Sequence, residues 1–339
     1  MAVELTPDTA KAIIAPLREA LYHNDLAAYR AASKSCFASD AVVHLGHPFE
    51  TLNGPEELLA TAIAPLADAF PDLERRDMIV LAGKADTGAY WVGCCGYFTG
   101  TFTKPFLEIP ATGHHASMRF HEFYRIEDSQ ICEFQGVWDI PELMLQANAW
   151  PMTPSLGREW LVPSPATQDG LSMVTKSSNH SQQSQDLVSA MIDGLSQYAT
   201  GGVAAMQLEK YWHPHFSWYG PSGIGTTRGI NGFRNWHQIP FLNAMPDRVG
   251  GEEGGFFAES DYVAFTAWPG MHATISGDGW MGIAASGQKI TMRSLDFWRC
   301  ENGLIRENWV LVDLLHVYHQ IGVDVLGRMR EFNKARGQA

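Results

Sequence analysis

The stretch "EFQGVWDIPELMLQ", residues 133–146, alternates in polarity, meets an acid, and passes at once into helical spacing. The chain repeats it as "ENWVLVDLLHVYHQ" at residues 307–320, matching at Glu133/Glu307, Asp139/Asp313 and Gln146/Gln320 with a constant offset of 174. Working outward, "FYRIEDSQICE" (123–133) aligns with "FWRCENGLIRE" (297–307), Arg119 with Arg293, and Gly113 with Gly287. Further back, "NGPEELLATAIAPLADAFPD" matches "RGINGFRNWHQIPFLNAMPD", with glycines and Pro-Asp pairs equally spaced. Self-similarity on this scale indicates a duplicated unit of about 150 residues. The Pro-, Ser- and Gln-rich run between the copies reads as a linker, although its "GREWLVPSPA" core is apolar enough to pack on a domain. The expected organisation is a first domain over 1–150, a linker over 151–183 and a second domain over 184–332.

Each unit shows the same coarse order. Ile13, Ile14, Leu17 and Leu21 recur at helical spacing, as do Leu187, Met191 and Leu195 in the second copy. A second helix carries Leu58, Leu59, Ile63, Leu66 and Phe70, opened by Gly54-Pro55 and closed by Pro71. After the Pro-Asp pair, strands are expected near 76–82, 88–102, 115–126 and 131–139. The second copy repeats them near 254–258, 261–275, 288–299 and 304–313. "EDSQ" and "ENGL" are the hairpin turns. Helices grouped before antiparallel strands predict an α+β fold, with helices on one face of a curved sheet.

Bulk properties narrow the function. At 339 residues the chain is comfortable for two domains, and 45% hydrophobic with 18% charged residues reads as globular. The formal charge of −13, with no Lys/Arg cluster, argues against nucleic acid and anionic membranes as partners. No apolar run is long enough to span a bilayer. "MAVELTPDTAKAII" lacks the features of a secretory signal, and five cysteines without a Cys-x-x-Cys spacing read as reduced thiols. A cytoplasmic protein is the expectation.

Helix, helix, "FPD", then strands ending "YRIEDSQICEFQGVWD…LMLQ" resembles the SnoaL-like polyketide cyclases, α+β cone domains of the NTF2-like fold. The resemblance covers both copies and departs from the family at Ser129, where a glycine is usual, and at Gln135, where a tryptophan is frequent. It implies two tandem cone domains, a small carbonyl-containing substrate, and no metal or cofactor. It also implies that Asp139 and Asp313 act as general acid/base in an intramolecular aldol closure. Because this fold hosts many chemistries, two alternatives stand beside that reading: a small-ligand-binding protein without turnover, and a dehydratase, isomerase or hydrolase. The doubling further suggests an internal pseudo-dimer of the two halves, with further homo-oligomerisation left open.

From the residues themselves, Asp139 followed by Ile-Pro-Glu is equally a helix N-cap with Glu142 completing a capping box. Asp313 lacks that box partner. Alternation puts Glu133, Gln135, Val137 and Asp139 on one side of their strand, as it does Glu307, Trp309, Leu311 and Asp313. A poorly solvated carboxyl at the end of such a row would have a raised pKa and shuttle protons near neutrality. A partner is expected from the preceding strand, His121 or Glu122 in the first copy and Asp296 in the second, and strand register decides which neighbour faces the acid. Glu122 is also a candidate for a salt bridge to Arg125 or Arg119. Candidate substrate contacts are His44, His47 and Tyr219 near the expected mouth, Tyr97 and His272 on matching strands, Trp138, and Trp236 and Trp309 from the second copy's seven tryptophans, a set that suggests an aromatic-lined cavity. His213-Pro-His215 and His316-x-x-His319 have no match in the first copy, so no metal site is expected. "SGIGTTRG" lacks the strand and lysine of a phosphate loop and reads as a flap. The first copy, with His44, His121 and Glu122, is the expected seat of chemistry.

Overall fold

The computed structural model describes residues 5–251 and 254–337. The chain divides into two compact units. One gathers residues up to Gly83, Gly88–Met152 and the chain from Asp313 on; the other comprises Lys84–Thr87 and Thr153–Val312. Each contains a six-stranded mixed sheet with helices, as the repeat predicts.

In the first unit, helices Pro7–Tyr22 and Leu26–Cys36 precede strand Phe37–Leu45 and the short Glu50–Leu52. A helical stretch from Pro55 to Ala69 follows, then strands Glu74–Lys84, Tyr90–Thr101, His115–Glu127 and Gln130–Trp138. Their order in the sheet is Glu50–Leu52, Phe37–Leu45, Gln130–Trp138, His115–Glu127, Tyr90–Thr101, Glu74–Lys84. The expected helices and four strands are present. Phe37–Leu45, which pairs in parallel with Gln130–Trp138, escaped the sequence reading. Its pairing partner lies almost a hundred residues away, so no local turn signal announces it.

The second unit repeats this order: Ser178–Ser196, strands Trp212–Tyr219 and Thr226–Arg228, a helical stretch from Gly229 to Ala244, then the remaining strands. Trp212–Tyr219 is again the strand parallel to the last one, Leu304–Val312. "SGIGTTRG" is therefore a turn leading into an edge strand, paired at Ser217, Trp218 and Tyr219, where a flap was expected. The long central hairpin of the first unit is broken here. Tyr262–Thr266 pairs with Ser294–Glu301 in the main sheet, while Met271–Thr274 pairs with Lys289–Met292 in a separate small one.

The conserved spacing of the repeat has local physical causes. Asp72 accepts the Thr101 amide at 2.6 Å, and Asp247 accepts the Thr274 amide at 2.8 Å. These bonds hold both carboxyls below their ordinary pKa. In each unit the Pro-Asp pair thus ties the end of the helical stretch to the sheet. The hairpin turns carry positive φ at Asp128 and Ser129 and at Asn302 and Gly303. Ser129 occupies a left-handed position that glycine fills at lower cost. The linker packs within the second unit: Arg158 bridges to Thr226, and Val162 is 5% exposed.

Candidate functional site

Strand register decides which residues share a face. In the first unit, His121 lies opposite Val137 and Phe123 opposite Gln135, so His121 shares the face of the Asp139 row. Glu122, opposite Gly136 and Cys94, looks the other way with Phe120, Tyr124 and Trp138. That second face is the one the helices cover. Arg18 of the first helix donates to Asp77 at 2.8 Å, and Arg75 bridges Asp77 (3.0 Å) to Glu122 (2.6 Å). Tyr29 of the second helix has its hydroxyl pKa pushed up by burial and then by Glu122.

The helix-covered interior of the first unit is thus occupied by its own charges. Glu122 accepts from Arg75, from the Tyr124 hydroxyl at 2.8 Å and from Trp138 Nε1 at 3.0 Å. Arg75, 1% exposed in its side chain, also lies 4.1 Å from the Phe120 ring centroid. Glu122 does form a salt bridge, but with Arg75 on the covered face and not with Arg125 or Arg119 as expected; those pair with Glu133 and Asp139. The sequence reading did not single out Arg75, which lies on a strand whose partners only the fold brings together.

Asp139 and Asp313 are both buried, at 3% and 4% exposure, and both cap helices. Asp139 accepts the Glu142 amide at 3.3 Å and stands 3.6 Å from the Arg119 guanidinium. Asp313 accepts the His316 amide at 3.1 Å and, through its other oxygen, the His47 amide at 2.9 Å. Capping is worth about 1 kcal/mol in general, and Asp313 adds the tie to the His47 loop. Asp313→Ala is therefore expected to cost about 1–2 kcal/mol, read as an earlier denaturant midpoint. A midpoint equal to that of the parent chain would show that these bonds carry no weight.

The other candidates scatter. His44 Nδ1 lies 2.9 Å from Thr51 Oγ1; His47 is 3.0 Å from Glu50 and stacks on His319 at 4.7 Å. His121 is fully buried, and Tyr97 shares its face. Tyr219 donates to Glu307 at 3.2 Å, and Trp309 Nε1 donates to the Pro163 carbonyl at 3.0 Å, so both lie on the face opposite the helices, where Trp309 and Glu307 meet the linker. His272 is exposed, and Trp236 is 52% exposed. Among the described residues no three His, Cys, Asp or Glu side chains converge as metal ligands.

Asp296 differs from all of these. It pairs across the sheet with Phe265 and Val310, on the face shared with Trp298, Asn308 and Trp218. Helical residues His237 and Phe233 pack on Trp218, which identifies this as the covered face of the second unit. Asp296 accepts the Ser294 hydroxyl at 2.6 Å, and among the described residues no cation pairs with it. Burial pushes its carboxyl up to about 7, although the hydrogen bonds from Ser294 and Asn308 pull the other way. A carboxyl at that value is half ionised near neutrality and can both take and return a proton.

The profile of the SnoaL-like polyketide cyclases matches residues 20–147 and again 197–321. The chain belongs to that family, in two tandem copies. Solved structures similar to it include AclR from Streptomyces galilaeus, 18% identical over 42% of this chain and 87% of that one, TM-score 0.36. IdmH from Streptomyces antibioticus is 23% identical over 41% of this chain and 98% of its own, TM-score 0.34. An NTF2-like protein from Burkholderia xenovorans is 12% identical over 42% and 98%, TM-score 0.33. No curated protein matches the chain. Among the described residues no helix is long and apolar enough to cross a membrane.

Proposed function

We propose that the second copy is a cofactor-independent, cyclase-like enzyme whose Asp296 moves a proton on a small carbonyl substrate. What carries this reading is a buried carboxyl on the helix-covered face, without an ion-pair partner among the described residues and poised near neutrality. The Asp296 carboxylate takes a proton from the carbon beside one carbonyl. The resulting enolate carbon bonds to a second carbonyl carbon of the same molecule, and the alkoxide so formed recovers the proton from Asp296. No atoms are gained or lost. The family implies this role for Asp139 and Asp313, but both carboxyls there are committed to backbone amides.

The first copy, on this reading, supports the fold. Arg75 already satisfies Glu122 in the interior, so a substrate entering there would have to break a buried ion pair.

Exchange of the α-protons of 2-tetralone in D2O tests the proton transfer without knowledge of the natural substrate. With Asp296 as the base, the rate falls about tenfold per pH unit below its pKa and levels off above it. The midpoint is expected near pH 7. A profile flat from pH 5 to 9, or exchange no faster than in buffer, contradicts the proposal.

A further inference from the structure

The covered face of the second unit holds a second set of groups, one rung along the strands from Asp296. Register places Val263, Trp298, Asn308, Trp218 and Thr227 side by side across five strands. His237 lies over this rung, stacked on Trp218 at 3.9 Å between ring centroids. Trp298 Nε1, Thr227 Oγ1 and His237 Nδ1 are all buried, and among the described residues none has a hydrogen-bond partner. Trp298 and Thr227 are each 4% exposed. His237 keeps part of its surface accessible while Nδ1 itself is enclosed.

Buried polar atoms are rarely left unpaired, because each forfeits its hydrogen bonds to water without replacement. Three on one rung and its cover is a pattern that a ligand resolves. Among the described residues both units carry a π-helical turn at the matching place, Leu59–Ile63 in the first and Arg234–Gln238 in the second, so the turn belongs to the repeat and its side chains make the difference. Such turns gather at functional sites. In the first unit its buried residues are Leu59, Ala62 and Ile63; in the second the turn carries His237 and Gln238, whose Oε1 is also buried and without a hydrogen-bond partner among the described residues.

We propose that His237, Trp298 and Thr227 form a neutral hydrogen-bonding subsite that selects uncharged planar ligands and rejects their anionic counterparts. It deepens the proposed acid/base reading, placing the ligand about 7 Å from the reacting carboxyl, two residues along one strand. The chemistry of the set argues for neutrality. The indole offers only a donor, the hydroxyl and imidazole each offer either role, and none brings a charge. Burial drives the His237 pKa down to about 3, so its imidazole stays uncharged at neutral pH. An incoming carboxylate would find no cation on this rung and would face Asp296 one rung away. Trp298 supplies flat apolar area for a ring beside the Trp218–His237 stack.

The test compares 2-naphthol with 2-naphthoate on the full chain at pH 7.5, by titration calorimetry. The naphthol is expected to bind at least tenfold more tightly. His237→Phe keeps the stack on Trp218 but removes the ring nitrogens, and Trp298→Phe removes the indole donor. Each is expected to weaken the naphthol at least fivefold without lowering the melting temperature. Equal or tighter binding of the naphthoate overturns the proposal, as does no binding of either probe, or unchanged naphthol affinity in both variants. The readout is binding alone. Intact selectivity without α-proton exchange would refute the catalytic reading and leave this subsite standing, and the converse result would separate them the other way.

Discussion

Asp296→Asn is expected to lose turnover by about 10²–10⁴-fold, the range general acid/base groups contribute, while making the protein more stable above neutral pH. The two effects share one cause. The Asp296 pKa is raised from an ordinary value of 3.8 to about 7. Between those values the folded state holds a proton that the unfolded chain has released. Stability therefore declines as pH rises through that window and is flat above it. The neutral amide avoids burying a charge, so the variant is expected to gain about 1–3 kcal/mol at pH 8 and little at pH 4. Thermal melts at the two pH values, paired with α-proton exchange rates, measure both halves. An Asp296→Asn protein that is less stable at pH 8, or as fast as its parent, would remove Asp296 from the mechanism.

Arg75→Met should have the largest effect on stability. It strands Glu122, whose side chain is 3% exposed, without its cation, and leaves Asp77 to Arg18 alone. Removing one partner of a buried ion pair costs about 3–5 kcal/mol. The loss should be partly recovered in Arg75→Met/Glu122→Gln, because the orphaned charge goes with its partner. Glu122→Gln alone is expected to leave turnover unchanged at temperatures where the protein is folded. If Glu122→Gln instead abolished turnover with its folding intact, the chemistry would lie in the first copy. Urea midpoints and exchange rates on the three variants decide this.

Much of the fold was legible because the duplication is written in local signals. The Asp128-Ser129 and Asn302-Gly303 turns, the Pro-Asp pairs and the helical spacing all sit within a few residues of what they organise. The strands Phe37–Leu45 and Trp212–Tyr219 were missed because each is defined by a distant parallel partner. The site was less legible. Asp296 stood among the candidates, but alternation alone could not say whether His121 or Glu122 shared a face with Asp139; cross-strand register answered that. The expectation of chemistry in the first copy rested on its polar residues. Sequence gives no sign that Arg75, nearly fifty residues from Glu122, would neutralise it. His237 and Thr227 gave no signal either, since their meaning comes from lying over and beside Trp218.

The most direct test is a site-resolved titration of the Asp296 carboxyl by 13C NMR, with Asp296→Asn used to assign the signal. A midpoint near 7 is what a buried, unpaired proton carrier requires. A midpoint in the ordinary carboxylate range near 4 would mean that Asp296 is ionised throughout the neutral range, and that it does not carry the proton.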